Sequence, residues 1–457
     1  LSVQGTQLRL VIPRNSLPNV SADTRNRQRL IDLRRKAETY VAPIDAQCAL
    51  TLLREGTLSI ERANGEDSPA RDAFARGITT WSMPYRGREG RSGRFVVFIG
   101  DNRLRVPVGL LEIGDDAPLN PLRDRELGLV VPTDPDSRLA MAHRLANFRR
   151  FVIGAGLAWN PADQIENLVP HLDEIRAQGL GRTGVEEELA TKKRLTYLYR
   201  LAVGEAALRG MVRADSAHEG LRALRDILLT RLHGEITVCG ALPPFGPILG
   251  GKLVASLMAH PDVRRVLDRP PGQILRQTFR VDDMKSLLPY GGPLLLTTKG
   301  LYAGHSAQYN RVRVPNSAGG LEPLRKIGTT AGETTSHLSE RTVQFAIALD
   351  GPNGEFGISR VYGSGGGKRH RLLQKAAGES GLSPGMTFAR VQRPVYALQL
   401  ATNVPDVVVR GESPIHLFGD LSDADGKSYL SMVMAHWRAS YGKVAGRRLQ
   451  RAESGAQ

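Results

Sequence analysis

No stretch of this 457-residue chain has the length of a membrane helix. Apolar runs such as Phe95-Val-Val-Phe-Ile99 and Leu294-Leu-Leu296 fall far short of the roughly 18 residues that a spanning helix needs, which excludes a helical bilayer-spanning role for these residues. Cysteine is nearly absent: Cys48 and Cys239 lie far apart, with no Cys-x-x-Cys pair and no His-Glu-x-x-His, so neither a disulfide framework nor a tetrahedral cysteine-based zinc site can be built. No metal site is expected. Aromatics make up only 5% of the chain, so any nucleic-acid binding should rest on phosphate contacts rather than on base-stacking platforms. The stretch at the N-terminus lacks a basic segment followed by an apolar one and a small-residue cleavage site; with the cysteine usage, the expectation is a cytoplasmic protein without membrane association.

Acid is also in deficit. Lys and Arg total 62 against 46 Asp and Glu, a net charge of +16, and such a field attracts polyanions: nucleic acid, phosphorylated cofactors or acidic membrane surfaces. The 41% hydrophobic share is that of a chain that builds real cores.

Pattern along the chain divides it into five regions: an N-terminal helical and basic region (1–90), the first part of an α/β core (91–154), a helical insertion (155–232), the remaining α/β core with Gly-rich loops (233–400) and a C-terminal helical region (401–457). Leu8-Arg-Leu-Val-Ile12 reads as a short strand stopped by Pro13, followed by a basic amphipathic helix from Ser21 to Val41. Arg94–Ile99 and Leu104–Ile113 read as adjacent antiparallel strands joined across Gly100-Asp-Asn102. Helical spacing runs from about 136 to 232. Strands are then expected at Ile236–Cys239, Pro293–Thr298, Val343–Leu349 and Val395–Leu400, with a helix opening at Gly250 and a closing helix over Ser428–Arg448.

Four segments carry candidate chemistry. Strand, proline-stiffened loop and helix meet at Leu249-Gly-Gly-Lys252, where Gly250 and Gly251 would let backbone N–H groups approach an anion and Lys252 would add a point charge. It is no Walker A loop, since the spaced first glycine and the Ser/Thr after the lysine are missing; close helix–strand packing explains the glycines equally well. The Gly-rich stretch after Trp81 carries Arg86, Arg88 and Arg91 and could hold phosphates, with a plain surface loop as the competing reading. Gly363-Ser-Gly-Gly-Gly-Lys368 with Arg369 and Arg371 is a second basic loop suited to phosphates without base information, against a flexible connector. The densest polar cluster follows an apolar strand: Tyr302, His305, Tyr309, Asn310, Arg311 and Arg313. There His305 could serve as a general base and Tyr309 as a proton donor, while Asn310, Arg311 and Arg313 could contact nucleic acid; a structural hydrogen-bonding network is the alternative.

An ordered succession of blocks carries a resemblance. Leu242-Pro-Pro-Phe with Leu249-Gly-Gly-Lys-Leu-Val-Ala255, then Leu295-Leu-Thr-Thr-Lys-Gly-Leu-Tyr302 and Ser306-Ala-Gln-Tyr-Asn-Arg311, resemble the Druantia anti-phage system protein A family. Val108-Gly-Leu-Leu-Glu-Ile-Gly114 with Arg123-Asp124, Ile327-Gly-Thr-Thr-Ala-Gly332 and Tyr362-Gly-Ser-Gly365 extend it over roughly residues 90–400, with Phe245 and Gly246 where the family pattern has Tyr and Asn. The resemblance implies a divergent member, a bacterial antiviral-defence component that works beside a large helicase-like partner; with the net charge and the basic Gly-rich loops, the expectation is a component that engages nucleic acid, with DNA as the first candidate. It also implies an α+β fold, a mixed sheet with an acetyltransferase-like strand–helix core. In such a core the 236–258 unit would hold coenzyme A or a nucleotide, which makes an acyltransferase-like enzyme the rival reading.

Overall fold

The computed structural model describes residues 2–4, 7–9, 44–63, 68–78, 92–100, 105–115, 120–154, 182–210, 214–268, 293–300, 309–330, 333–334, 340–350, 366–382, 389–390, 392–418 and 423–454. In chain order these form β1 (Ser2–Gln4), β2 (Gln7–Arg9), α1 (Ala46–Glu55), β3 (Thr57–Arg62), α2 (Pro69–Ile78), β4 (Ser92–Gly100), β5 (Arg105–Gly114), α3 (Pro121–Glu126), α4 (Pro135–Gly154), α5 (Arg182–Leu208) and α6 (Ala214–Leu232). There follow β6 (His233–Ala241), α7 (Gly250–Ser256) with a 3-10 turn Leu257–Ala259, α8 (Pro261–Asp268), β7 (Leu295–Lys299), β8 (Arg313–Pro315), β9 (Leu321–Pro323) and β10 (Arg325–Thr329). The chain closes with β11 (Glu333–Thr334), α9 (Glu340–Leu349), α10 (Gly366–Glu379), β12 (Ala389–Arg390), β13 (Pro394–Gln399), α11 (Val404–Arg410) and α12 (Asp423–Ser454).

The architecture is α+β, centred on a seven-stranded mixed sheet in the order β10-β13-β7-β6-β5-β4-β3. Every neighbouring pair is antiparallel except β6 and β7. The parallel pair spans only His233–Ile236 against Leu295–Thr298, so β6 runs on to Ala241 past its last partner on β7. Strands β4 and β5 read as near-continuous apolar runs because both faces of the sheet are covered. On one face Phe95, Val97 and Ile99 pack with Leu50 and Leu53 of α1, Leu253 and Val254 of α7, Val263 of α8 and Trp437 of α12. On the other, Val96 and Phe98 meet Phe74 of α2, while Leu295 and Ala397 join a helical layer of α4, α5, α6 and α11. That layer is tight: a Cβ on Gly204 would stand 2.3 Å from the Gly220 Cα, so α5 and α6 touch backbone to backbone.

Most strands and helices anticipated from periodicity stand where expected, two of them with longer ends: β6 extends to both sides of 236–239, and the closing helix runs over Asp423–Ser454. One expectation is overturned. Val343–Leu349 is not a strand but the body of α9, in which Ala346 is buried against Leu373 and Ala376 of α10 and Ile347 is 44% exposed. A short alternation of apolar and small residues carries both periods, and a helix partner rather than a sheet edge decides it here. The basic helix expected over 21–41 and the turn at 101–102 lie outside the described residues. Among the described residues no helix is long and apolar enough to cross a membrane, and no group of three or more His, Cys, Asp or Glu could hold a metal ion.

Candidate nucleic-acid interface

Beyond Ala241 the chain leaves the sheet through Leu242–Leu249 and re-enters as α7. The Leu242 N–H donates to the Val108 carbonyl at 2.7 Å, the Phe245 N–H to Leu242 at 2.8 Å, and the Gly250 N–H to the Phe245 carbonyl at 2.9 Å. Leu249 takes a left-handed conformation at φ 65°, and its carbonyl accepts from both the Lys252 N–H at 3.0 Å and the Trp437 indole at 3.2 Å. A Cβ on Gly250 would meet the Phe245 Cβ and carbonyl oxygen, both at 2.8 Å. Glycine at 250 is therefore required by packing, and two of the N–H groups around the start of α7 are engaged by the loop's own carbonyls.

What the end of this loop holds is the turn at Tyr309–Arg311. The Lys252 ammonium donates to the Asn310 carbonyl at 2.6 Å, the Tyr396 hydroxyl to the Asn310 side-chain oxygen at 2.8 Å, and the Tyr441 hydroxyl to the Arg311 carbonyl at 3.0 Å. Arg311 sits at φ 62°, a left-handed position imposed by these anchors. Tyr309 is buried, its ring 5.3 Å from that of Tyr396 and its hydroxyl 3.3 Å from the Thr298 hydroxyl; burial pushes the phenol well above its ordinary range. The group weighed as a proton donor is thus an interior strut between β7 and β13.

Two segments singled out separately in the sequence, 250–252 and 309–313, come together here, and α12 completes the site. The Lys252 ammonium lies over the Tyr441 ring at 5.7 Å and is held below the usual lysine range first by burial, then by the charges of Arg448 and Arg311. Burial lowers His436, and Arg313 lowers it further; its ring meets Tyr441 edge-on at 6.0 Å. Arg311, Arg313 and Arg448 are exposed, and among the described residues none of them pairs with a carboxylate. Four cations so placed repel one another in the free protein and gain by meeting a polyanion.

The other sequence candidates are distributed differently. His305, Arg86, Arg88 and Arg91 lie outside the described residues. Lys368, Arg369 and Arg371 fall in the opening turns of α10, a helix that packs on α9. Sequence reasoning missed Arg448, His436 and Tyr441. Their signal was available: from Gly426 to Ala452 the chain has no Asp or Glu but carries Lys427, Arg438, Lys443, Arg447, Arg448 and Arg451.

The position of α12 depends on a buried histidine. His260, between the 3-10 turn and α8, donates through Nε2 to the Gly426 carbonyl at 3.2 Å and accepts at Nδ1 from the Asp262 N–H at 3.2 Å. Beside it the Tyr429 hydroxyl donates to the Ser256 carbonyl at 2.7 Å. Burial lowers the His260 pKa from 6.5 to about 4, against a smaller upward pull from Asp262. The unfolded chain therefore binds this proton more readily than the folded one. Stability from this group is complete above pH 6.5 and falls by about 3 kcal/mol as pH drops towards 4. In thermal melts at pH 7 and pH 5, His260→Gln should lack this part of the acid-induced loss; an unchanged difference between the two pH values would refute the assignment.

No protein-family model matches the chain, and no solved structure does. Among curated proteins it is 26% identical over 201 residues to Druantia protein DruA of Escherichia coli (strain UMEA 4076-1), a match that covers 44% of this chain and 46% of that protein. The chain thus spans less than half the length of that relative. By this match the chain is similar, at a divergent level, to Druantia protein DruA.

Proposed function

We propose that the chain is a component of a bacterial anti-phage defence system of the Druantia type, and that it engages nucleic acid, with DNA as the target, through the basic surface around Lys252, Arg311, Arg313 and Arg448. The observation that carries this reading is the convergence of those cations, three of them exposed and without carboxylate partners among the described residues, on a rigid frame of α7, β8 and α12. The name of the relative supplies the system. A helicase-like protein is the partner that the family resemblance implies. The test is fluorescence anisotropy with duplex DNA on the full chain and on the variant Arg311→Gln, Arg313→Gln, Arg448→Gln. Weakened binding with an unchanged circular-dichroism spectrum supports the reading, and equal affinity contradicts it.

A second reading, an acetyltransferase-like enzyme, is favoured by one observation. The sheet holds a single parallel pair, β6 and β7; β6 outruns its partner and leads through Leu242–Leu249 into the glycine-started α7, the element that would face coenzyme A or a nucleotide in such a fold. Against it stand the engagement of Lys252 by Asn310 and the packing role of Gly250. Coenzyme A at a hundred times its dissociation constant would stabilise a binding protein by about 2.7 kcal/mol, visible as a raised melting temperature. A flat response is expected if nucleic acid is the ligand.

A further inference from the structure

We infer that α12 is a track for the backbone of duplex DNA, extending the basic site along the helix from Lys443 to Arg451; the inference rests on the nucleic-acid reading above. The buried side of α12 is its apolar one: Val433, Trp437, Ala445 and Leu449 sit in the core. Lys443, Arg447 and Arg451 recur every fourth residue and are exposed, so they form one cationic line on the solvent side with about 6 Å between successive charges. Among the described residues none of the three pairs with a carboxylate. The acids of α12 stand at its two ends, Asp423 and Asp425 before the line and Glu453 after it.

Both flanks of this line are basic as well. On one side Arg448 faces Lys252 and Arg311. On the other, Arg54 of α1 lies against Gly446, where a Cβ would stand 2.9 Å from its guanidinium nitrogen. The helix itself is fixed from below: Arg438 donates to the Gly56 and Leu53 carbonyls at 2.6 and 3.3 Å. A preformed row of cations loses less freedom on binding than a loop would.

The chemistry selects the occupant. The outward line holds only Lys and Arg, with no aromatic among residues 442–451, so it offers charge to phosphates but no platform for unstacked bases. That favours a duplex, whose backbone is its outer surface, over a single strand. An acidic bilayer would also be drawn by charge, but α12 presents no exposed large apolar side chain to enter it.

The test measures log K against log salt for duplex DNA with the full chain, the variant Lys443→Gln, Arg447→Gln, Arg451→Gln, and the variant Arg311→Gln, Arg313→Gln, Arg448→Gln. At about 0.9 per phosphate contact, neutralising the helical line should reduce the slope by about 2.7. An unchanged slope in the α12 variant, with a reduced slope in the other, overturns the track and leaves the nucleic-acid reading standing. Absence of duplex binding by the unaltered chain overturns both. Two comparisons run alongside, with single-stranded DNA of equal length and with phosphatidylserine vesicles: tighter binding of either than of the duplex overturns the choice of occupant. Circular dichroism of the α12 variant should match that of the unaltered chain, since all three side chains are exposed.

Discussion

Replacing Asp124 by alanine is expected to destabilise the fold by about 3–5 kcal/mol, the cost of breaking a buried ion pair from one side. Asp124 accepts from the Arg123 Nε and Nη2 atoms at 3.0 and 2.7 Å, and the Arg123 side chain has no solvent exposure. Its second oxygen lies 3.7 Å from Arg225 of α6, itself 9% exposed and paired with Asp226. Asp226 and Glu219 both reach Arg200 of α5, so one carboxylate on α3 stands at the head of a chain of charges that runs through the helical layer. Without it, two guanidiniums in a desolvated setting lose a shared counter-charge; Arg225 keeps Asp226, so the larger part of the loss falls on the fully buried Arg123. Asp124→Asn keeps an acceptor but not the charge and should fall between. Urea denaturation reads both; a midpoint for Asp124→Ala within error of the unaltered chain would show that the carboxylate is not needed there.

The second large effect is on binding. Neutralising Arg311, Arg313 and Arg448 should lower the salt slope of duplex binding by about 2.7 at 0.9 per contact. The effect on affinity is greatest at low ionic strength, where screening is weakest, and shrinks towards physiological salt. Lys252 is left intact because its ammonium also anchors the Asn310 carbonyl, and its removal would loosen the turn that presents Arg311. Asn310 offers a control for that distinction, since its side-chain oxygen accepts from Tyr396. The Arg variant with unaltered melting temperature and unaltered affinity would mean that the convergence of cations serves no polyanion.

The sequence was legible where local pattern and tertiary need agree. The hairpin of β4 and β5 is announced by two apolar runs around a Gly-Asp-Asn turn, and helices cover both faces of these strands, so nothing competes with that pattern. The stretch over Val343–Leu349 failed because its alternation carries no information about whether a strand or a helix will be the neighbour. The glycines before Lys252 were ambiguous for a physical reason: the same missing Cβ serves an anion or a phenylalanine, and only the position of Phe245 against Gly250 decides. The site itself was half legible. Each of Lys252, Arg311 and Arg313 stood out by type and context, but their meeting depends on the fold. Arg448 stood out only as the end of the expected closing helix, because the flank it turns towards α7 is set by packing of Trp437 and Leu449 rather than by local spacing.

The salt dependence of duplex-DNA binding by the unaltered chain, followed by anisotropy between low and physiological salt, tests the central claim most directly. Three exposed arginines at the candidate interface predict that log K falls with log salt with a slope of at least about 2.7. Binding that does not respond to salt, or no binding at the lowest ionic strength, would contradict it.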